Sequence, residues 1–311
     1  MPDGETIRPA QQRQAPPQAW PWQLVGRLRA LPPGVMVWGA VTLAILSCVV
    51  FAPLLAPFDP AQQNLRLRFA PPGLLHCLGT DHLGRDLFSR TLHGGRFAIS
   101  ITAISLALSV VIGVGLGVIA ARAGGWIDEA IMRLVDLLIA FPDVIIALFL
   151  VAILGPGYTT LVIALTFSSW TPFARVMRGL ALDINRRDYI RAAEILNCTR
   201  RFIVLHHIIP NAIRPIAAIA LLRFGHKLIV VGGLSFLGLG VQPPMSDWGS
   251  MLAESRRYME RAPMLVIAPG AAMFITALAV TTLGQSLDPA SRGPARPGGR
   301  RLWRRRRREE G

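Results

Sequence analysis

"DYIRAAEILNCTRRFIVLHHIIPN", residues 188–211, places three arginines, two histidines and two acids between two long apolar runs. "YIRAAEIL" holds good helix formers and no breaker, which predicts a short helix from Asp188 to about Leu196. Asn197 follows, at the position where a helix end calls for a left-handed residue. Glycine is the usual choice there and asparagine the next best. A second helix, "RRFIVLHHII", is predicted until Pro210 ends it or restarts it. The reading is a polar helix–turn–helix elbow between apolar neighbours, too long and too ordered for a mere connection.

Those neighbours decide the fold class. The chain of 311 residues is 52% hydrophobic and 16% charged, with a mean hydropathy of +0.45. A soluble domain carries about a quarter charged residues. Six runs are long enough to cross a bilayer, at roughly 20 residues each: about 35–56, 98–121, 134–154, 158–174, 215–240 and 263–286. An all-α integral membrane protein of six transmembrane helices is predicted. Residues 35–290 form the membrane domain, 1–34 an N-terminal tail that is partly disordered, and 291–311 a basic cytoplasmic tail. The first span exceeds the core of a cleaved signal peptide.

The net charge of +15 follows the alternate loops. Basic residues number 23 in 1–34, 122–133, 175–214 and 291–311 together, against 8 in the loops between them. That asymmetry predicts both termini and the elbow in the cytoplasm. The run "RRLWRRRRR", 300–308, then faces lipid rather than nucleic acid. Cys48, Cys77 and Cys198 fall in different compartments on this topology, so no disulfide is expected.

Within the spans, Gly113, Gly117 and Ala121 make a small-residue stripe for close helix packing. Pro142 should kink the third span, and Asp143 beside it places a carboxylate inside the bilayer. Arg223, His226 and Lys227 share one face of the fifth span. Ionisable groups in a membrane line bundle interiors or aqueous paths, so these four residues are candidates for a translocation path. Counted inward along straight helices, Asp143 and Arg223 lie roughly 12–14 Å deep, which predicts pairing of Asp143 with Arg223 or Lys227. One surplus cation would remain, free to hold a substrate carboxylate or to stay hydrated. Outside, "LGTDHLGRDLFSRTLHGGR", 78–96, fits a short surface-lying amphipathic helix, with Asp86 and Arg90 spaced to pair.

No energy source or reaction centre accompanies these features. Lys227 is the chain's single lysine, so no phosphate-binding P-loop exists. His206 and His207 are adjacent and point apart, no cysteine cluster occurs, and "GLSFLG", 233–238, misses the nucleophile-elbow pattern. No catalytic residue, metal ligand or cofactor is predicted.

The elbow resembles the "EAA" loop of binding-protein-dependent ABC importer permeases, E-A-A-x-x-x-G-x(9)-I-x-L-P. Ala192 and Ala193 match the alanine pair, and Pro210 stands 13 residues after Asn197 as the pattern requires. Arg191 replaces the acidic residue and Asn197 the glycine. "LGTDHLGRDLFSR" (78–90) and "LSFLGLGVQPP…WG" (234–249) resemble the dipeptide/oligopeptide/nickel permeases, in particular their C-type subunit. The resemblance covers about 35–290; the basic tail is not part of it. It implies a non-catalytic subunit of a heterodimeric pore in the bacterial inner membrane. A sister permease, two cytosolic ATP-binding subunits and an extracytoplasmic solute-binding protein would be its partners. Arg191, Ala192, Ala193, Glu194, Asn197 and Pro210 would couple it to the ATPase. Dipeptides, longer peptides, glutathione-like peptides and nickel all remain open as substrates, nickel being disfavoured by the lack of thiol or clustered imidazole ligands. An ion-coupled transporter, the rival reading, would carry inverted repeats, and the sequence has none.

Overall fold

The computed structural model describes residues 33–245 and 247–287; the two predicted tails lie outside them almost entirely. Within these residues the chain is helical, with a lone antiparallel bridge, Thr80 to Asp86, and no strand. In order come α1 (Pro33–Val50), α2 (Leu87–Ala123), α3 (Gly125–Ile139), α4 (Asp143–Leu154), α5 (Tyr158–Ser169) and α6 (Thr171–Asn185). The elbow helix α7 (Asp188–Ile195), then α8 (Arg200–Phe236), α9 (Trp248–Ser255) and α10 (Met264–Leu287) complete the fold.

Three helices, α2, α8 and α10, are long and apolar enough to cross a membrane, and α3 with α4 would make a fourth if taken as one span. The predicted boundaries shift for physical reasons. The third run breaks at Ala140–Pro142, and its halves meet at 87°. Pro142 cannot supply the N–H that a continuous helix needs. The fourth run is a 12-residue helix that stops at Trp170, after which Pro172 opens α6. The fifth helix begins at Arg200, so the elbow's second helix and the expected span are one rod of 37 residues.

Pro210 neither ends nor restarts that rod. The residues before it, Val204–Ile208, form a π turn, in which Ile209 N–H donates to the Val204 carbonyl. The wider turn accommodates the N–H that proline lacks. Asn211 Nδ2 then donates to the His207 carbonyl at 2.6 Å.

The core lies where α2 meets α6. Phe173 and Met177 are fully buried there. Gly113 and Gly117 open the way: a Cβ on Gly113 would lie 2.6 Å from the Phe173 Cβ and from the Trp170 carbonyl oxygen. One on Gly117 would lie 2.6 Å from the Ala174 carbonyl oxygen. The predicted small-residue stripe therefore has a partner, α6. The other side of the core is α8, packed between α2 and α10.

Candidate functional site: elbow, polar cleft and outer cap

The elbow's turn is a Schellman motif. Asn197 adopts φ +55°, its N–H donates to the Glu194 carbonyl, and Cys198 N–H reaches back to the Ala193 carbonyl at 3.0 Å. Thr199 then caps the rod through its side chain, which accepts from Phe202 N–H. Two helices are thus closed at four residues' distance, which sets the elbow's angle.

α7 buries Ile190 and Ala193, spaced i, i+3, in the same core cluster as Ile203 and Ile208 of α8 and Ile184 of α6. Ala193 is therefore internal and cannot itself face an ATPase; Ala192 is exposed. Arg191 is exposed, with Asp188 3.9 Å away, and Glu194 reaches Arg122 at 3.4 Å. The most prominent apolar groups at the tip are Ile195 and Leu196, 80% and 77% exposed. The family pattern had not singled them out, although the helical period does so, since neither falls on the Ile190–Ala193 face.

The four intramembrane candidates meet in one cleft. Asp143, Arg223, His226 and Lys227 line it together with Leu106, Phe173 and two serines, Ser168 and Ser169. Lys227 is 4% exposed, and its ammonium donates to Ser109 Oγ at 3.2 Å and to the Leu165 carbonyl at 3.3 Å. Asp143 lies 3.6 Å from the His226 imidazole. Asp143 makes no ion pair within 4.0 Å with Arg223 or Lys227, the pairs expected from the sequence, although its charge acts on both across the cleft. The 87° bend removes α4 from the straight line along which its depth was counted, and Lys227 turns instead to α2 and α5.

At the opposite end of α2 the stretch 78–96 is not a separate surface-lying helix, since residues 87–96 are the first turns of α2 itself. Residues 78–86 are a folded loop, and Asp86 caps α2 by accepting from Ser89 N–H at 2.7 Å. Its other oxygen lies 2.8 Å from His76 Nδ1, so the expected pair with Arg90 is replaced. Arg90 and Arg85 both bind Asp81, and both reach Glu254 of α9, at 3.0 and 2.9 Å. Gly84 turns the loop at φ +73°, where any Cβ would run into the Asn64 carbonyl. Burial alone would raise the Asp81 carboxyl, but the Arg90 and Arg85 guanidiniums outweigh it and hold it below its ordinary 3.8. Asp81, His82 and Glu254 bring ligand atoms within 4.8 Å of one another. The two guanidiniums already supply the charge that a cation would.

The second motif locks the same cap from the other side. Ser235, at the end of α8, donates to Asp247 Oδ2 at 2.6 Å, and Asp247 forms a capping box with Ser250. Burial pushes the Asp247 carboxyl up, against the hydrogen bonds it accepts. Trp248 Nε1 donates to the Thr91 carbonyl at 2.8 Å, and the indole packs over Gly94 and Gly95. The two motifs are therefore the two halves of one clasp joining α2, α8 and α9.

Residues 113–293 match the family "binding-protein-dependent transport system inner membrane component", and 21–72 match the "N-terminal TM domain of oligopeptide transport permease C". The chain is 37% identical over 254 residues to a di/tripeptide transport system permease of Pseudomonas aeruginosa, covering 80% of this chain and 84% of that one. It is 38% identical to a glutathione transport system permease of Pectobacterium atrosepticum, covering 81% and 84%. A nickel transport system permease of Escherichia coli K12 is 35% identical, covering 74% and 83%. The chain belongs to the binding-protein-dependent inner-membrane components, among the dipeptide/oligopeptide/nickel permeases, and is a multi-pass inner-membrane permease subunit of an ABC importer.

Proposed function

We propose that this subunit forms half of a pore for di- or oligopeptides. The observation that carries the reading is the cleft, a small cavity lined together by the Asp143 carboxylate, the Arg223, His226 and Lys227 side chains of α8, and Ser168 and Ser169. A zwitterionic peptide offers both charges and needs both. Arg223 makes no ion pair within 4.0 Å among the described residues, so although the Asp143 charge acts on it, its guanidinium donors are open to a substrate carboxylate. Nickel is the weaker candidate, because Cys48, Cys77 and Cys198 lie away from the cleft and one imidazole makes no metal site. Relatives named for di/tripeptide and glutathione transport support the same choice.

Six spans with both termini in the cytoplasm remain the topology that the charge distribution favours, with the α3–α4 pair and the α5–α6 pair each crossing as a broken helix. The elbow 188–211 then docks into a cytosolic ATP-binding subunit through Arg191, Ala192, Glu194, Ile195 and Leu196. Ala193, Asn197 and Pro210 shape it from behind. A sister permease completes the pore, and an external binding protein delivers the peptide. Motion at the elbow reaches Arg223 along one rod, roughly 35 Å at 1.5 Å per residue.

A strain deleted for this chain tests the substrate assignment. Complementation with the wild type should restore uptake of labelled dipeptide, and Asp143→Asn or Arg223→Gln should raise the half-saturating peptide concentration. Restored nickel uptake without peptide uptake would overturn the assignment.

A further inference from the structure

One cavity lies apart from both the cleft and the elbow's tip. At the end of α2 that faces the elbow, an open groove of about 310 Å³ runs between α2 and the π turn of α8. Val118 and Ile119 form one wall, Val204 and Leu205 the other, and Arg122, Arg200 and Arg201 stand at its rim. Arg122 Nη1 reaches Asn185 at 3.2 Å and Glu194 at 3.4 Å, while its buried Nε has no hydrogen-bond partner. Arg200 and Arg201 are exposed and form no ion pair among the described residues. Glu194 offsets one of the three guanidiniums, so the rim keeps two positive charges.

We propose that this groove binds an anionic phospholipid, one acyl chain against Val118, Ile119, Val204 and Leu205 and the phosphate on the three arginines. The walls are apolar side chains and offer a peptide or an ordered water nothing to bond. An acyl chain asks for such walls. The rim offers planar, permanently charged donors that match phosphate geometry. Both features coincide at the end of a helix long and apolar enough to span the bilayer, where phosphate and acyl chain arrive together. A lipid seated here touches both α2 and the π turn, which lies within the elbow's part of the rod, so its occupancy bears on coupling.

The test uses the assembled transporter, purified in mild detergent and examined by native mass spectrometry. Phosphatidylglycerol should be retained in preference to phosphatidylcholine. Arg200→Gln with Arg201→Gln should weaken that retention about 30-fold, each arginine near the surface contributing about 1 kcal/mol. Ile119→Trp, which fills the groove and changes no charge, should weaken it as well. Millimolar inorganic phosphate should displace nothing. Undiminished retention in either variant overturns the proposal, and so does displacement by inorganic phosphate. Loss of the ATP-binding subunits from the double arginine variant, with lipid retention unchanged, would assign the face to the ATPase instead.

Discussion

Placing a methyl group on Gly117 pits the α2–α6 contact against helix propensity. In an exposed helix interior, glycine to alanine stabilises by roughly 0.5–1 kcal/mol, and Gly115, whose Cβ would meet nothing within 4 Å, provides that control. At Gly117 the added Cβ would sit 2.6 Å from the Ala174 carbonyl oxygen and 2.8 Å from the Met177 Cβ. Ordinary contact begins near 3.4 Å, so α6 has to retreat by about 0.6–0.8 Å. The obstacles are backbone and a Cβ, which no rotamer change can move. Overpacking of this kind costs about 1–3 kcal/mol, which exceeds the propensity gain. Gly117→Ala should therefore lower the melting temperature of the purified transporter by several degrees, while Gly115→Ala leaves it unchanged or raises it. Gly113→Ala, facing Phe173 and Trp170, should behave like Gly117→Ala. Equal stability of Gly115→Ala and Gly117→Ala would refute the close approach of α2 and α6.

Asn197→Gly should be nearly silent, because φ +55° suits glycine at least as well. Asn197→Val should cost about 1–2 kcal/mol and lower uptake at equal membrane abundance, which immunoblotting and transport assays together would read. Ala192→Glu should leave abundance unchanged and uncouple ATP hydrolysis from uptake, whereas Ala193→Glu should deplete the protein from the membrane, since it buries a charge among Ile190, Ile203 and Ile208. Asp81→Asn should cost about 3–5 kcal/mol at pH 7 by leaving two buried guanidiniums with one carboxylate. The Asp81 carboxyl sits below its unfolded value, so its contribution is complete above about pH 4 and lost as pH falls through the folded value. Thermal melts at pH 7 and near pH 3 should therefore show the wild-type advantage shrinking in acid.

The legible features were those governed by local geometry. Asn197 could be placed in the left-handed region because so few residues tolerate it, and the Gly113–Gly117 spacing announced a close helix contact. Its partner, α6, could not be read, since nothing in α2 encodes what packs on it. The shared level of Asp143 and Arg223 agrees with the one cleft they line, but their exact pairing could not be counted: Pro142 marked a kink, and the angle of 87° depends on what surrounds it, which counting at about 1.5 Å per residue leaves out. The four cleft residues were nonetheless brought together, because burying charge in a membrane leaves few places for it to go. Within 78–96 the loop 78–86 was misread as helix because Leu83 falls in helical period with Leu87 and Phe88, which open α2. Gly79 and Gly84, both at positive φ, and Asp86 at a cap position were the signals of a folded loop. Ala193 was assigned outward by the family pattern, whereas its i, i+3 relation to Ile190 pointed inward.

The most direct test of the account is ATP-driven accumulation of a labelled dipeptide in liposomes holding the complete transporter and its binding protein, with Leu196→Asp as the variant. Leu196 is 77% exposed at the elbow's tip, so a charge there leaves the fold intact and removes an apolar contact with the ATPase. The wild type should accumulate dipeptide only with ATP. Leu196→Asp should continue to hydrolyse ATP while accumulation falls at least tenfold. Accumulation by the variant at the wild-type rate per ATP consumed would contradict coupling through the elbow.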